Sequence, residues 1–349
     1  MKKCLVTVAM TGAMALAHGQ ALEKELVIAS TGGTMEKNLV QFFYGPFEKA
    51  KGVQVIPAAN ELPDQWAKAQ AMNKAGKMEF DIVTATAPDL VQHKDLLQPI
   101  DCSKLPSVVA KGVKGACGPY GVIRTLGGMM MGYRSDVFPA GNAPRTWADF
   151  WDVKKFPGPR GLPDTGDREW WVPLAALIAD GVPRDKLFPM DLDRAYRKLD
   201  QIRPQVKVWW KSADQLRQII QNKEVVMTMG YSTRLLVAAQ AGFPVSVSWD
   251  GAIRDVGYMA IPKGAPHPNA ALAYMSFFYD QPPAQHAAFA TSLKAETGSN
   301  QTVGAMPPAE RALMATAPEN FDKLVVADYE WIGANRQKLR DRWLTWLSR

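Results

Sequence analysis

A two-lobed α/β fold is predicted by three features of the chain. Strand-like and helix-like segments alternate from residue 26 onward, which implies parallel sheet with helices on its faces. The length, 349 residues, suits two domains. Two long extended passages, one after Pro119 and one ending at Pro262, sit where a chain would cross between halves and return.

The elements follow in order. Leu26-Val27-Ile28-Ala29 reads as a buried strand, and Thr31-Gly32-Gly33-Thr34 as the turn leaving it. Leu39, Phe43, Phe47 and Ala50 then recur at helical spacing, with a kink predicted at Gly45-Pro46. Val53–Ile56 is a second strand, Asp64–Lys74 a helix and Phe80–Val83 a third strand; Pro88-Asp89-Leu90 opens another helix. In the second half, Thr146 caps a helix through TWADFWDVKKF, and Asp167–Ala179 and Asp191–Ile202 are helical. Val206–Trp209 is a strand, and Ser212 N-caps the next helix. Val225–Met229 and Val245–Trp249 are strands around a helix at Thr233–Ala241. Two β-like pieces flank Gly127-Gly128, and a helix starts at Asn269.

The first residues read as an export signal. Lys2 and Lys3 precede an apolar run from Cys4 to Ala17, followed by small residues suited to cleavage after Ala21, with Ala17 the competing position. The run is short for a membrane span. Cys4 falls inside the signal, which leaves Cys102 and Cys117. In an exported chain such a pair reads as a disulfide, adding roughly 3 kcal/mol, with two unpaired buried thiols as the alternative. The formal charge of +7, or +5 without Lys2 and Lys3, is interspersed and describes a solvated surface, not a nucleic-acid footprint. His93, His267 and His286 lie far apart, with no HExxH or paired CxxC, so no metal or other cofactor is expected. The absence of GxSxG argues against a secreted hydrolase.

Several long segments resemble one family. TWADFWDVKKFPGPRGL, ADGVPRDKLFPMDLDRAYRKLDQI, VVMTMGYSTR and YMAIPKGAPHPNAALAYMSFF are similar to the substrate-binding proteins of bacterial ABC importers, in the spermidine/putrescine-binding branch. The resemblance spans nearly all of the chain after residue 21. It implies the type II periplasmic-binding-protein fold, with a ligand cleft at the hinge between two lobes. The expected division is residues 1–21 as signal, 22–126 plus 256–298 as the first lobe, and 127–255 plus 299–349 as the second. It also implies a periplasmic monomer that serves a membrane permease and its ATPase, and no catalysis.

Where this chain departs from polyamine-binding relatives, the departures concern the solute. Those relatives carry Trp-Thr-Glu-Tyr where Thr31-Gly32-Gly33-Thr34 stand here, and Ser-x-Tyr where Ala85-Thr86-Ala87 stand. Their Trp-x-Asp aligns with Asp255-Val256-Gly257, and Glu296 replaces a pocket tyrosine. A closer set, which includes binders of 4-aminobutyrate, carries a tryptophan pair and Trp-Asn-Gly-Arg; these positions are Trp209-Trp210 and Tyr231-Ser232-Thr233-Arg234. The glycine turn is expected to bring backbone N–H groups to an anion. Arg234 is the expected carboxylate fork, and Trp210 the ring for an ammonium. Tyr231 and Tyr258 line the cleft in this reading, and Thr86, Glu169, Asp255 and Glu296 complete it. The expected solute is small and amine-bearing or zwitterionic, with a polyamine as the alternative. A ferric carrier of the same fold would need a Tyr-Tyr pair, which is absent.

Overall fold

The structure, a computed structural model, describes residues 22–30, 32–59, 62–166 and 168–349. The signal segment, Thr31 and Asp167 lie outside the described residues. Among the described residues nine strands form the framework: β1 (Glu25–Ser30), β2 (Gln54–Ala59), β3 (Val83–Thr86), β4 (Val122–Arg134), β5 (Arg160–Pro163), β6 (Val206–Trp210), β7 (Met227–Tyr231), β8 (Val245–Ala260) and β9 (Glu296–Thr297). β1 and β2 pair in parallel and join β3 through a parallel bridge between Ile28 and Ile82. The larger sheet runs β3-β8-β4-β7-β5-β6, with β9 also on β4.

The all-parallel expectation needs correcting. β5 pairs in parallel with β6 and β7, but β4 and β8 run antiparallel to every neighbour. These are the two extended passages, which travel between the halves instead of closing a β-α-β unit. Each is one strand, not two pieces. β4 continues through Gly127 and Gly128 because glycine is needed there for close approach: a Cβ on Gly127 would sit 2.8 Å from Ser232 Oγ, and one on Gly128 2.9 Å from the Trp249 ring. β8 continues through Asp250 and Gly251, the glycine at φ +71°.

The two largest cores among the described residues flank the long strands. One gathers Leu26, Phe43, Phe47, Tyr274 and Phe278, and the other Trp147, Phe150, Trp171, Trp210 and Trp343. β4 supplies Val122 to the first and Met129–Met131 to the second; β8 supplies Met259 to the first and Ile253 to the second. The C-terminal helix Arg336–Leu347 buries Trp343 and Trp346 on the second core, while helix Tyr329–Ala334 packs on helix Ala87–Gln92, with Gly333 pressed against Val91.

Local chemistry explains the helix boundaries. Ser212 accepts from the Gln215 N–H, as a cap should. The helix after Thr146 stops at Trp151, earlier than its pattern predicts, because the Asp152 carboxylate accepts from the Lys154 and Lys155 N–H groups and turns the chain. Near Gly45-Pro46 the first long helix widens to a π-helical turn, Val40–Tyr44. Pro46 has no N–H for the Phe42 carbonyl, which accepts instead from the Gln285 side chain. Cys102 and Cys117 are joined as a disulfide. Among the described residues no helix is long and apolar enough to cross a membrane.

Candidate functional site

β4 and β8 floor a small cavity of about 170 Å³ at the waist between the cores. Thr125, Gly127 and Gly128 come from β4, and Asp255 and Gly257 from β8. Met35 closes it from the helix that leaves the glycine turn, and Tyr231, Ser232 and Thr233 from the start of helix Ser232–Gln240. Ser232 Oγ accepts from the Gly128 N–H at 3.1 Å, which seats that helix start on the strand. The Tyr231 ring packs edge-on to Trp171, centroids 5.6 Å apart.

A second cavity, about 350 Å³, lies beside it. Trp66, Thr86, Asp89 and His93 wall one side, Arg168, Glu169 and Trp170 the back, and Gly333 and Arg336 the other. The two cavities meet at an ion pair: Arg168 lines the larger, Asp255 the smaller, and their charged atoms are 3.5 Å apart. The Arg168 guanidinium also lies 4.8 Å from the centre of the Trp171 ring. The waist therefore presents a partly exposed carboxylate, an aromatic ring and the positive end of a helix around a glycine floor. That set suits a small charged solute.

Residues 44–316 match the family of bacterial extracellular solute-binding proteins. The chain is a member of that family. It is similar to the Gamma-aminobutyric acid-binding protein of Pseudomonas aeruginosa, 31% identical over 95% of this chain and 94% of that one. Among solved structures it resembles the binding protein AttC of Agrobacterium tumefaciens C58 in its open unliganded conformation, 33% identical with a TM-score of 0.80, covering 93% of this chain and all of the other. It also resembles the Atu4243 GABA receptor, 28% identical with a TM-score of 0.80 over 92% of this chain and 97% of that one.

In this solute-binding protein the candidate residues separate into groups. Asp255 and Tyr231 lie on the waist cavity. Thr86 and Glu169 lie on the larger one, where Thr86 also caps helix Ala87–Gln92 in a reciprocal pair with Asp89. Gly32, Gly33 and Thr34 reach the waist only through their neighbour Met35. Both glycines have positive φ, 70° and 66°, so the turn itself requires them, and the space around each is open. Arg234 is exposed in the first turn of its helix.

Three assignments change. Trp210 is not a pocket ring: it is wholly buried, and its indole N–H donates to the Met229 carbonyl at 3.0 Å. Strand alternation puts its partly buried neighbour Trp209 against Trp343 and Trp346, so both rings serve the second core. Glu296 is also structural. It is 2% exposed and accepts from the Ala315 and Thr316 N–H groups and the Thr316 hydroxyl, and burial pushes its carboxyl up to about 7. Tyr258 alternates away from Asp255 and lines a separate hollow with Tyr120 and Tyr329; burial raises its hydroxyl pKa.

Sequence reasoning passed over Thr125 and Ser232, whose roles arise from pairing across distant strands. Met35 carried no signal as a wall residue.

Proposed function

We propose that this protein is the periplasmic solute-binding component of an ABC importer, and that it carries a 4-aminobutyrate-like zwitterion to a membrane permease and its ATPase without transforming it. The lobes in this reading are residues 22–126 plus 256–298 and 127–255 plus 299–349. The supporting observation is Asp255: a carboxylate on a crossing strand, at the rim of a waist cavity suited to a solute of a few heavy atoms. Its side chain is one-third exposed, so it remains open to an ammonium while Arg168 fixes its orientation. The likeness to two 4-aminobutyrate proteins, each over nearly the whole chain, agrees with this chemistry. Solute would favour the closed form by touching both lobes, in proportion to its extra affinity for that form. Micromolar capture needs about 8 kcal/mol of standard binding free energy.

Calorimetric titration tests the reading. Wild type should bind 4-aminobutyrate at micromolar concentration and spermidine far more weakly. Asp255→Asn should bind 4-aminobutyrate about 10-fold to 100-fold more weakly, the loss of a charge-assisted hydrogen bond. Tight spermidine binding, or an unchanged Asp255→Asn affinity, would refute it.

A further inference from the structure

A zwitterion needs a cation for its carboxylate as well as an anion for its amine. Arg234 is exposed in its helix, and Arg168 is engaged with Asp255. Resting on the zwitterion reading above, we propose that Arg124, on β4, is the residue that holds the solute carboxylate.

Arg124 is partly buried, and its hydrogen bond is to Thr84 Oγ1 at 3.0 Å. That hydroxyl donates in turn to the Ala29 carbonyl at 3.1 Å. Among the described residues no carboxylate pairs with Arg124, and its Nε is buried without an acceptor. Two other enclosed guanidinium groups are satisfied differently. Arg160 donates to the Phe150, Phe156 and Gly158 carbonyls, and Arg203 to those of Trp346 and Leu347. A buried donor without an acceptor calls for a specific explanation in a folded protein, and a bound anion is one such explanation.

Strand register puts the Thr84 hydroxyl that holds this cation on the same face as Asp255. Thr84 pairs with Met259, Thr86 with Gly257, and Thr125 also with Gly257. Alternate residues share a face, so Asp255, Gly257 and Met259 face together, and Thr84 and Thr125 face with them. A Cβ on Gly257 would meet Thr125 Oγ1 at 2.5 Å, as that sharing requires. Arg124 is the extra residue where the pairing shifts between Ile123 and Thr125, and it reaches Thr84 across β8. Gly257 contributes no side chain between the Thr84–Arg124 contact and Asp255, and Thr125 Oγ1 lies over it. At about 3.3 Å per residue the gap is on the order of 10 Å. That length suits a four-carbon amino acid with a hydrogen bond of about 2.9 Å at each end. The site also lies at the carboxyl ends of β1 and β3, where open α/β sheets take their ligands.

Arg254 shares the buried, unpartnered Nε, but alternation puts it on the opposite face from Asp255, beside Tyr258 and Tyr329. It does not serve this cavity.

The test compares 4-aminobutyrate with its amide, 4-aminobutanamide, and with butyrate, on wild type, Arg124→Met, Arg124→Lys and Arg234→Met. In calorimetry wild type should prefer the acid to the amide by about 30-fold or more, consistent with a charge-assisted contact. Arg124→Met should bring that preference to within about threefold, Arg124→Lys should restore part of it, and Arg234→Met should leave it intact. A merely structural role for Arg124 would weaken acid and amide alike. Butyrate at tens of millimolar should raise the melting temperature of wild type but not of Arg124→Met. Should wild type ignore 4-aminobutyrate yet show that butyrate difference, the zwitterion reading falls and the carboxylate role of Arg124 stands. An acid preference retained in Arg124→Met, one lost in Arg234→Met, or equal butyrate responses in wild type and Arg124→Met would each overturn the proposal.

Discussion

Trp210→Ala is expected to destabilise the protein by about 3–5 kcal/mol while leaving solute affinity of the folded fraction within about threefold. The indole is fully enclosed and packs against the Tyr231 ring at 5.8 Å between centroids. Its removal leaves a cavity in the second core and deprives the Met229 carbonyl of its indole donor. Urea unfolding followed by fluorescence measures the first quantity, and calorimetry in native buffer the second. A variant as stable as wild type that no longer binds would return Trp210 to the solute site.

Glu296→Gln is expected to change how stability depends on pH. The buried carboxyl is raised from 4.5 to about 7, because desolvation outweighs the Thr316 and Ala315 donors that favour its charged form. A raised folded value means that the folded state holds the proton more tightly than the unfolded chain. The resulting stabilisation is full below about pH 4.5 and is lost as pH rises through about 7. Its extent is about 3 kcal/mol. Gln cannot titrate, so between pH 4.5 and 8 wild type should lose about 3 kcal/mol relative to Glu296→Gln. Chemical unfolding at a series of pH values checks this, and parallel curves would contradict it. Solute affinity should change little, since Glu296 anchors the turn at residues 315–316.

Much of the fold was legible because its signals are local. Ser212, Thr146 and the Leu39-Phe43-Phe47 spacing act within one or two helical turns. Gly127-Gly128 misled for the same reason: Ser232, which Gly127 must clear, and Trp249, which Gly128 must clear, lie far along the sequence. The mixed sheet was hidden because β4 and β8 are antiparallel neighbours separated in sequence by residues that build the second core. In the candidate site, the position of Asp255 beside the waist cavity was legible from its place in a crossing strand. Strand alternation predicted one core ring and one pocket ring at Trp209-Trp210, but Trp343 and Trp346, more than 130 residues later, cover Trp209, so both rings serve the second core. Arg124 had no local mark, because what distinguishes it is the missing partner.

A crystal structure of the protein grown with 4-aminobutyrate tests the central claim most directly. The account predicts the solute in the waist cavity, its ammonium within about 3 Å of an Asp255 oxygen and its carboxylate on the Arg124 guanidinium. Solute lodged instead between Trp66 and Arg336, or a waist left empty while solute binds elsewhere, would contradict it.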